Sequence, residues 1–162
     1  MLQKTCMRRF ALVAVGLATI LWLNSFGTEK LTSDVPHQLS YFEQVIGDAN
    51  VSALPMVIVL HGSGGDEKDL LPNLKRTDAS FRYIGFRGPI TRGRGYRWAK
   101  GSGATTSQAH EHYLENLDEV AFSIAEAVDE LVTKYPTTGK PTVFGFSAGA
   151  ELAMFLAGSY PQ

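Results

Sequence analysis

Gly145-Phe146-Ser147-Ala148-Gly149 constrains this chain more than any other stretch. The five residues stand between an apolar run, PTVFGF, and a segment, AGAELAMFLAGSY, whose composition reads as a helix. Gly-x-Ser-x-Gly at a strand-to-helix junction sets a serine on a sharp turn with its hydroxyl exposed. Gly145 and Gly149 lack the side chains that would hold strand and helix apart while Ser147 takes a strained backbone conformation. The first turn of the following helix leaves amide groups without partners, and its dipole favours negative charge beside the serine. The motif alone is a weak signal; its strand and helix context gives it weight.

The rest of the chain supplies matching elements. LSYFEQVIGD, from Leu39, has the aromatic and β-branched content of a strand. Met56 to Leu60 is an unbroken apolar run of the kind buried on both faces of a parallel sheet. EKDLLPNLKR reads as a short helix, FRYIGFRGPI as a strand and GRGYRWAKGSGATT as a glycine-rich loop. From about Thr106 to Tyr135, Leu114, Leu117, Ala121, Ile124, Val128, Leu131 and Val132 recur at helical spacing, and Pro136 and Gly139 end the pattern. Strands alternating with helices in this order predict an α/β fold with a mostly parallel sheet flanked by helices. With 162 residues and 44% hydrophobic content, one such domain fits and two do not.

Residues 1–27 have the pattern of an export signal or signal anchor. Lys4, Arg8 and Arg9 precede an apolar run from Phe10 to Leu23, short of the roughly 20 residues a bilayer span needs. Ser25 and Gly27 suit a cut before Thr28, while an uncleaved anchor through residues 10–23 is the other reading. Export to the periplasm or the medium is the expectation. Residues 28–36 are a polar linker, and 37–162 form the domain. Cys6, the sole cysteine, lies in the leader, so the domain has neither a disulfide nor a thiol nucleophile. Without its basic leader the chain is more acidic than its net charge of −1, which argues against general nucleic-acid binding.

HGSGGD follows the Met56–Leu60 run, and glycines flanking Ser63 let that backbone turn inward. Nucleotide-binding readings fail on spacing. A dinucleotide fingerprint needs glycine where Glu67 stands, and a P-loop needs glycine before Lys68 and a hydroxyl residue after it.

HGSGGDEKDLLPN, RGPITRGRGYRWAKG and GFSAGAELAMFLAGSYP together resemble, in order, the phospholipase/carboxylesterase group of α/β-hydrolases, which includes acyl-protein thioesterase-like enzymes. The likeness spans Pro55 to Gln162. It implies the α/β-hydrolase fold and a serine esterase acting on small acyl esters or thioesters, without metal or organic cofactor. Ser147 would be the nucleophile and the Ser63 and Ala148 amides the oxyanion donors, each such donor contributing about 3–4 kcal/mol. His61 and Gly62 would shape the loop. The group often has glutamine where Ala148 stands, a change that leaves the backbone donor in place.

One departure is larger. The group's acid and histidine follow the serine in sequence, and no histidine follows Ser147 here. The resemblance therefore implies a fold truncated after the elbow helix. His61 precedes the glycine-rich loop and is expected to fix a turn; His110 and His112 fall on the long helix, His37 near the linker, and Glu151 is expected to be a solvated helix residue. A serine deprived of its base is expected to be nearly inactive. The alternative is a non-catalytic acyl-binding or interaction protein, a pseudo-hydrolase. Arg82, Arg87, Arg92, Arg94 and Arg97 among aromatics suggest single-stranded nucleic acid, but interrupting glycines and the acidic body fit that poorly; a solvated strand and loop is the plain reading, and the resemblance implies that GYRWAKG lies near the substrate cleft.

Overall fold

The alternating side chains of Met56–Leu60 face two different layers, and the fold is built around that strand. A computed structural model describes residues 39–101 and 105–160. The leader, the linker and His37 lie outside them. The elements are β1 (Tyr41–Ile46), β2 (Met56–Leu60), α1 (Leu71–Leu74), β3 (Phe81–Phe86), β4 (Ile90–Arg92), β5 (Gly95–Arg97), α2 (Ser107–Lys134), β6 (Thr142–Gly145) and α3 (Ala148–Ser159). The main sheet has the order β1-β3-β2-β6. β2 runs parallel to both neighbours, Leu60 pairing with Phe86 on one side and Gly145 on the other, while β1 is antiparallel to β3.

Met56, Ile58 and Leu60 point to the layer containing α2 and α3, where Ile84, Phe86, Leu117, Val120, Ile124, Val128, Leu152 and Leu156 complete one core. Val57 and Val59 point the other way, onto Ile46, Leu70, Leu71, Phe81 and Tyr83. Both faces of β2 are thus covered, as its unbroken apolar run requires.

α2 follows its predicted bounds within a residue. Thr106 caps it, accepting from the Ala109 amide at 3.3 Å. Tyr113, Leu117, Val120, Ala121, Ile124, Ala125, Val128 and Leu131 are buried, while Val132 is exposed. Burying a Leu, Ile or Val is worth roughly 1.5–3 kcal/mol, against differences below about 1 kcal/mol in helix propensity, so packing decides this helix.

Two expectations need correcting. EKDLLPNLKR is helical only over Leu71–Leu74, because Pro72 suits a first turn and earlier residues form turns. GRGYRWAKGSGATT, read as loop, contains β5, which pairs with β4 in a hairpin, and FRYIGFRGPI, read as one strand, ends as β3 at Phe86 before β4 begins. The hairpin's strands are three residues each and are held by contacts elsewhere, so periodicity could not reveal them.

Packing is tight where α3 meets the end of β2. A Cβ on Gly149 would press on the carbonyl oxygens of Leu60 and His61, 2.6 Å from the latter. A Cβ on Gly145 would press on Gly149 O and lie 2.7 Å from Ala150 N. These are backbone atoms of buried elements and cannot step aside. Gly149→Ala is expected to destabilise the chain by roughly 1–3 kcal/mol in urea unfolding. Gly158→Ala, on the same helix with open space around it, is expected to stabilise by up to about 1 kcal/mol. Equal effects would show that the close approach is not what holds α3.

Candidate active site

Ser147 has φ 52° and ψ −121°, the one non-glycine residue with positive φ among those described. Such a conformation costs on the order of 1–3 kcal/mol and persists only where its surroundings enforce it. The surroundings are backbone. The Phe146 amide donates to Leu60 O at 3.1 Å, extending the ladder to β2 up to the turn. Gly149 N–H then donates to Phe146 O at 2.9 Å, and Ala150 N–H to Ser147 O at 2.8 Å. A serine at a helix N-cap usually accepts from an amide one turn on. Ser147 makes no such bond, and it is exposed. Its hydroxyl is left for something outside the turn.

The glycine-rich loop lies against this turn. A Cβ on Gly62 would sit 2.9 Å from Phe146 Cδ1 and 3.5 Å from Phe146 O. Within the loop, Gly64 N–H donates to Tyr96 O at 2.7 Å and Gly65 N–H to Gly62 O at 3.0 Å. The amides of Gly62 and Ser63 donate to no described residue, nor does that of Ala148 at the head of α3. Ser63, Ala148 and Ser147 therefore stand on two adjoining segments, with unspent N–H groups on both.

His61 fastens the loop from beneath. It is 1% exposed, and its ring stacks on Trp98 with centroids 4.6 Å apart. Gly88 N–H donates to Nε2 at 3.1 Å, so Nε2 carries no proton and Nδ1–H donates to Gly62 O at 2.7 Å. Its carbonyl accepts from Trp98 Nε1–H at 2.8 Å. With both ring nitrogens committed, His61 holds a turn and has none free to take a proton from Ser147. Burial pushes its pKa below 6.5, against weaker upward contributions from the Gly62 hydrogen bond and the nearby acids.

Tyr83 joins the site without a motif to announce it, while Arg87, Tyr96 and Trp98 fall in the RGPITRGRGYRWAKG block, to which the resemblance gave no individual roles. Tyr83 OH donates to Glu67 O at 2.9 Å, and Arg87 donates to the Glu67 carboxylate at 2.7 and 2.5 Å. That ion pair holds the Glu67 carboxyl below its ordinary range. The available signal was a tryptophan in a glycine-rich stretch: a buried indole N–H must find an acceptor.

The remaining acid-base candidates disperse. His110 and His112 are exposed on α2, His112 lying 3.5 Å from Glu115. Glu151, expected to be simply solvated, accepts a 2.6 Å hydrogen bond from Tyr113 OH. Burial first, and that bond second, push the Tyr113 phenol well above its usual range. Crevices of about 410 Å³ flank α3, one lined by Val143, Ala153 and Leu156, the other by Tyr113, Leu117 and Phe155. Neither is lined by Ser147 or Ser63. Among the described residues no group of three His, Cys, Asp or Glu is placed to hold a metal ion, and no helix is long and apolar enough to cross a membrane.

No protein-family model and no curated protein matches the chain. Solved structures do. A carboxylesterase from Bacillus cereus superposes with a TM-score of 0.61 at 23% identity, over 86% of this chain and 58% of that one. A structure of YahD with malic acid gives 0.58 at 27%, over 74% and 57%. A carboxylesterase from Mesorhizobium loti gives 0.54 at 24%, over 66% and 49%. The chain thus spans between 49% and 58% of the length of these three structures. Its fold is that of the α/β-hydrolase esterases, and the likeness seen in the motifs holds at that level.

The buried neutral histidine gives a pH prediction. Because its folded pKa lies below its unfolded value, the unfolded state binds more protons below about pH 6.5, and stability falls as pH drops through that value. Glu67 adds its own loss only lower, beneath its ordinary 4.5. His61→Gln is expected to flatten the decline between pH 7 and 5 in thermal unfolding. An unchanged slope would mean that His61 carries none of it.

Proposed function

We propose that the chain is the nucleophile-bearing part of a serine esterase or thioesterase acting on small acyl substrates. Ser147 Oγ attacks the acyl carbonyl, a new C–O bond forms, and the carbonyl oxygen takes the negative charge. The Ser63 and Ala148 amides receive that charge; the C–O or C–S bond to the leaving group then breaks, leaving an acyl-serine for water to cleave. The observation that carries this reading is the strained, uncapped and exposed Ser147 hydroxyl at the N-terminus of α3, beside the unspent amides of the glycine-rich loop. The apolar run after Lys4, Arg8 and Arg9 supports export as the setting.

The serine's proton has no taker among the described residues. Loss of the histidine from a triad removes on the order of 10⁶ in turnover, leaving roughly 10³–10⁴ over water from the oxyanion donors and binding. By itself the chain should therefore acylate slowly. The same lack of a proton acceptor favours a second reading, an acyl-binding pseudo-hydrolase.

Imidazole tests the first reading by standing in for the base. With p-nitrophenyl acetate, the chain is expected to gain one acetyl group on the peptide containing Ser147, at a rate rising with imidazole concentration. Ser147→Ala is expected to lose both the mark and the protein-dependent rate. Equal rates in the two proteins would remove Ser147 from the chemistry; binding without acylation would select the pseudo-hydrolase.

A further inference from the structure

Five arginines fall between residues 82 and 97, and the fold neutralises only some of them. Arg82 pairs with Glu43, and Arg87 with Glu67. Arg92 pairs with no acid among the described residues. Its guanidinium donates instead to a neutral group, Ser63 Oγ, on the residue whose amide is a candidate oxyanion donor. Arg94, at the adjoining turn, has no described partner either, and the buried Nε of Arg97 lacks an acceptor.

The placement of Arg92 is built in. It pairs with Gly95 across the β4–β5 hairpin. The next residue, Tyr96, accepts from Gly64 N–H at 2.7 Å and donates to Gly65 O at 2.8 Å. The hairpin is thus stapled by backbone to the glycine-rich loop, and Arg92 sits at that loop's rim. A guanidinium has five N–H donors in a fixed fork, and a hydroxyl engages only one direction of it. A carboxylate, with two acceptor oxygens and a full charge, matches the fork far better.

We propose that Arg92, seated on Ser63, makes this site selective for acyl substrates that carry a carboxylate within a few carbons of the scissile carbonyl, such as monoesters of short dicarboxylic acids. The proposal deepens the esterase reading and rests on it for the position of the carbonyl. The carboxylate lies on Arg92, with Arg94 adding long-range attraction, while the carbonyl oxygen faces the Ser63 and Ala148 amides.

Binding, read separately from turnover, tests it. Monomethyl succinate and dimethyl succinate are titrated into the full chain at low salt, following the amide resonances of Ser63 and Ala148. The monoester is expected to bind at least tenfold more tightly, a preference that shrinks as salt is added. Arg92→Gln is expected to erase most of that preference and Arg92→Lys to keep part of it. Arg76→Gln, an exposed arginine elsewhere, is expected to keep all of it. Equal binding of the two esters, no binding of the monoester, or a preference that survives Arg92→Gln would each overturn the proposal. Arg92-dependent binding with an unreactive Ser147 would overturn the esterase reading and leave the anion site standing. An acylating Ser147 that binds both esters equally would do the reverse.

Discussion

The contact between Gly149 and the carbonyls that end β2 is the constraint on which the rest depends. It brings the first turn of α3 against the start of the glycine-rich loop with no side chain between them. From that approach follow the strained φ of Ser147, the missing cap and the proximity of two sets of unspent amides. The arrangement is made almost entirely of backbone, which explains why glycine recurs at positions 62, 145 and 149. Side chains there would separate strand, loop and helix before any chemistry could be considered.

Backbone geometry of this kind must be held from outside. The strain at Ser147 and the forgone cap together amount to a few kcal/mol, comparable to a sizeable share of a small domain's net stability. β2, buried on both faces, supplies the rigid end against which the turn is set. The loop needs its own fastening, because the amides of Gly62 and Ser63 are unspent. His61, Trp98, Gly88 and Tyr96 provide it, each through a hydrogen bond to or from the loop's own backbone or to the ring beneath it. His61 is buried and neutral for that purpose. A protonated ring would leave Nε2–H facing the Gly88 amide, donor against donor.

Much of this was legible in the sequence. The apolar runs at Met56–Leu60 and Pro141–Phe146, the period of α2 and the glycines around Ser147 gave the main elements and the turn. Those signals are local, since each depends on which face of one element is buried. The hairpin was not legible because its strands are too short to carry a period and are fixed by Gly64 and Gly65, some 30 residues earlier. Nor was the pairing of Tyr113 with Glu151, which joins two helices 38 positions apart. Arg92 on Ser63 is of the same kind: the composition showed arginines among aromatics, and only the hairpin's attachment shows which of them reaches the loop.

The two halves of the proposed serine chemistry also make separate physical demands on this fold. Stabilising a developing oxyanion needs aligned amides, and the amides of Gly62, Ser63 and Ala148, which donate to no described residue, lie on adjoining segments. Moving the proton needs a titratable ring within hydrogen-bond reach of Ser147, and His61 is committed elsewhere while His110 and His112 face solvent. β6, which carries the turn, pairs only with β2 among the described strands, and Phe144, Phe146 and Met154 are 44%, 60% and 70% exposed around it. The sheet edge beside the turn is thus apolar, with no further strand paired to it among the described ones. For the proposed reaction, polarising the carbonyl and accepting the proton are therefore independent demands: the unspent amides beside Ser147 bear on the first, and no histidine among the described residues bears on the second.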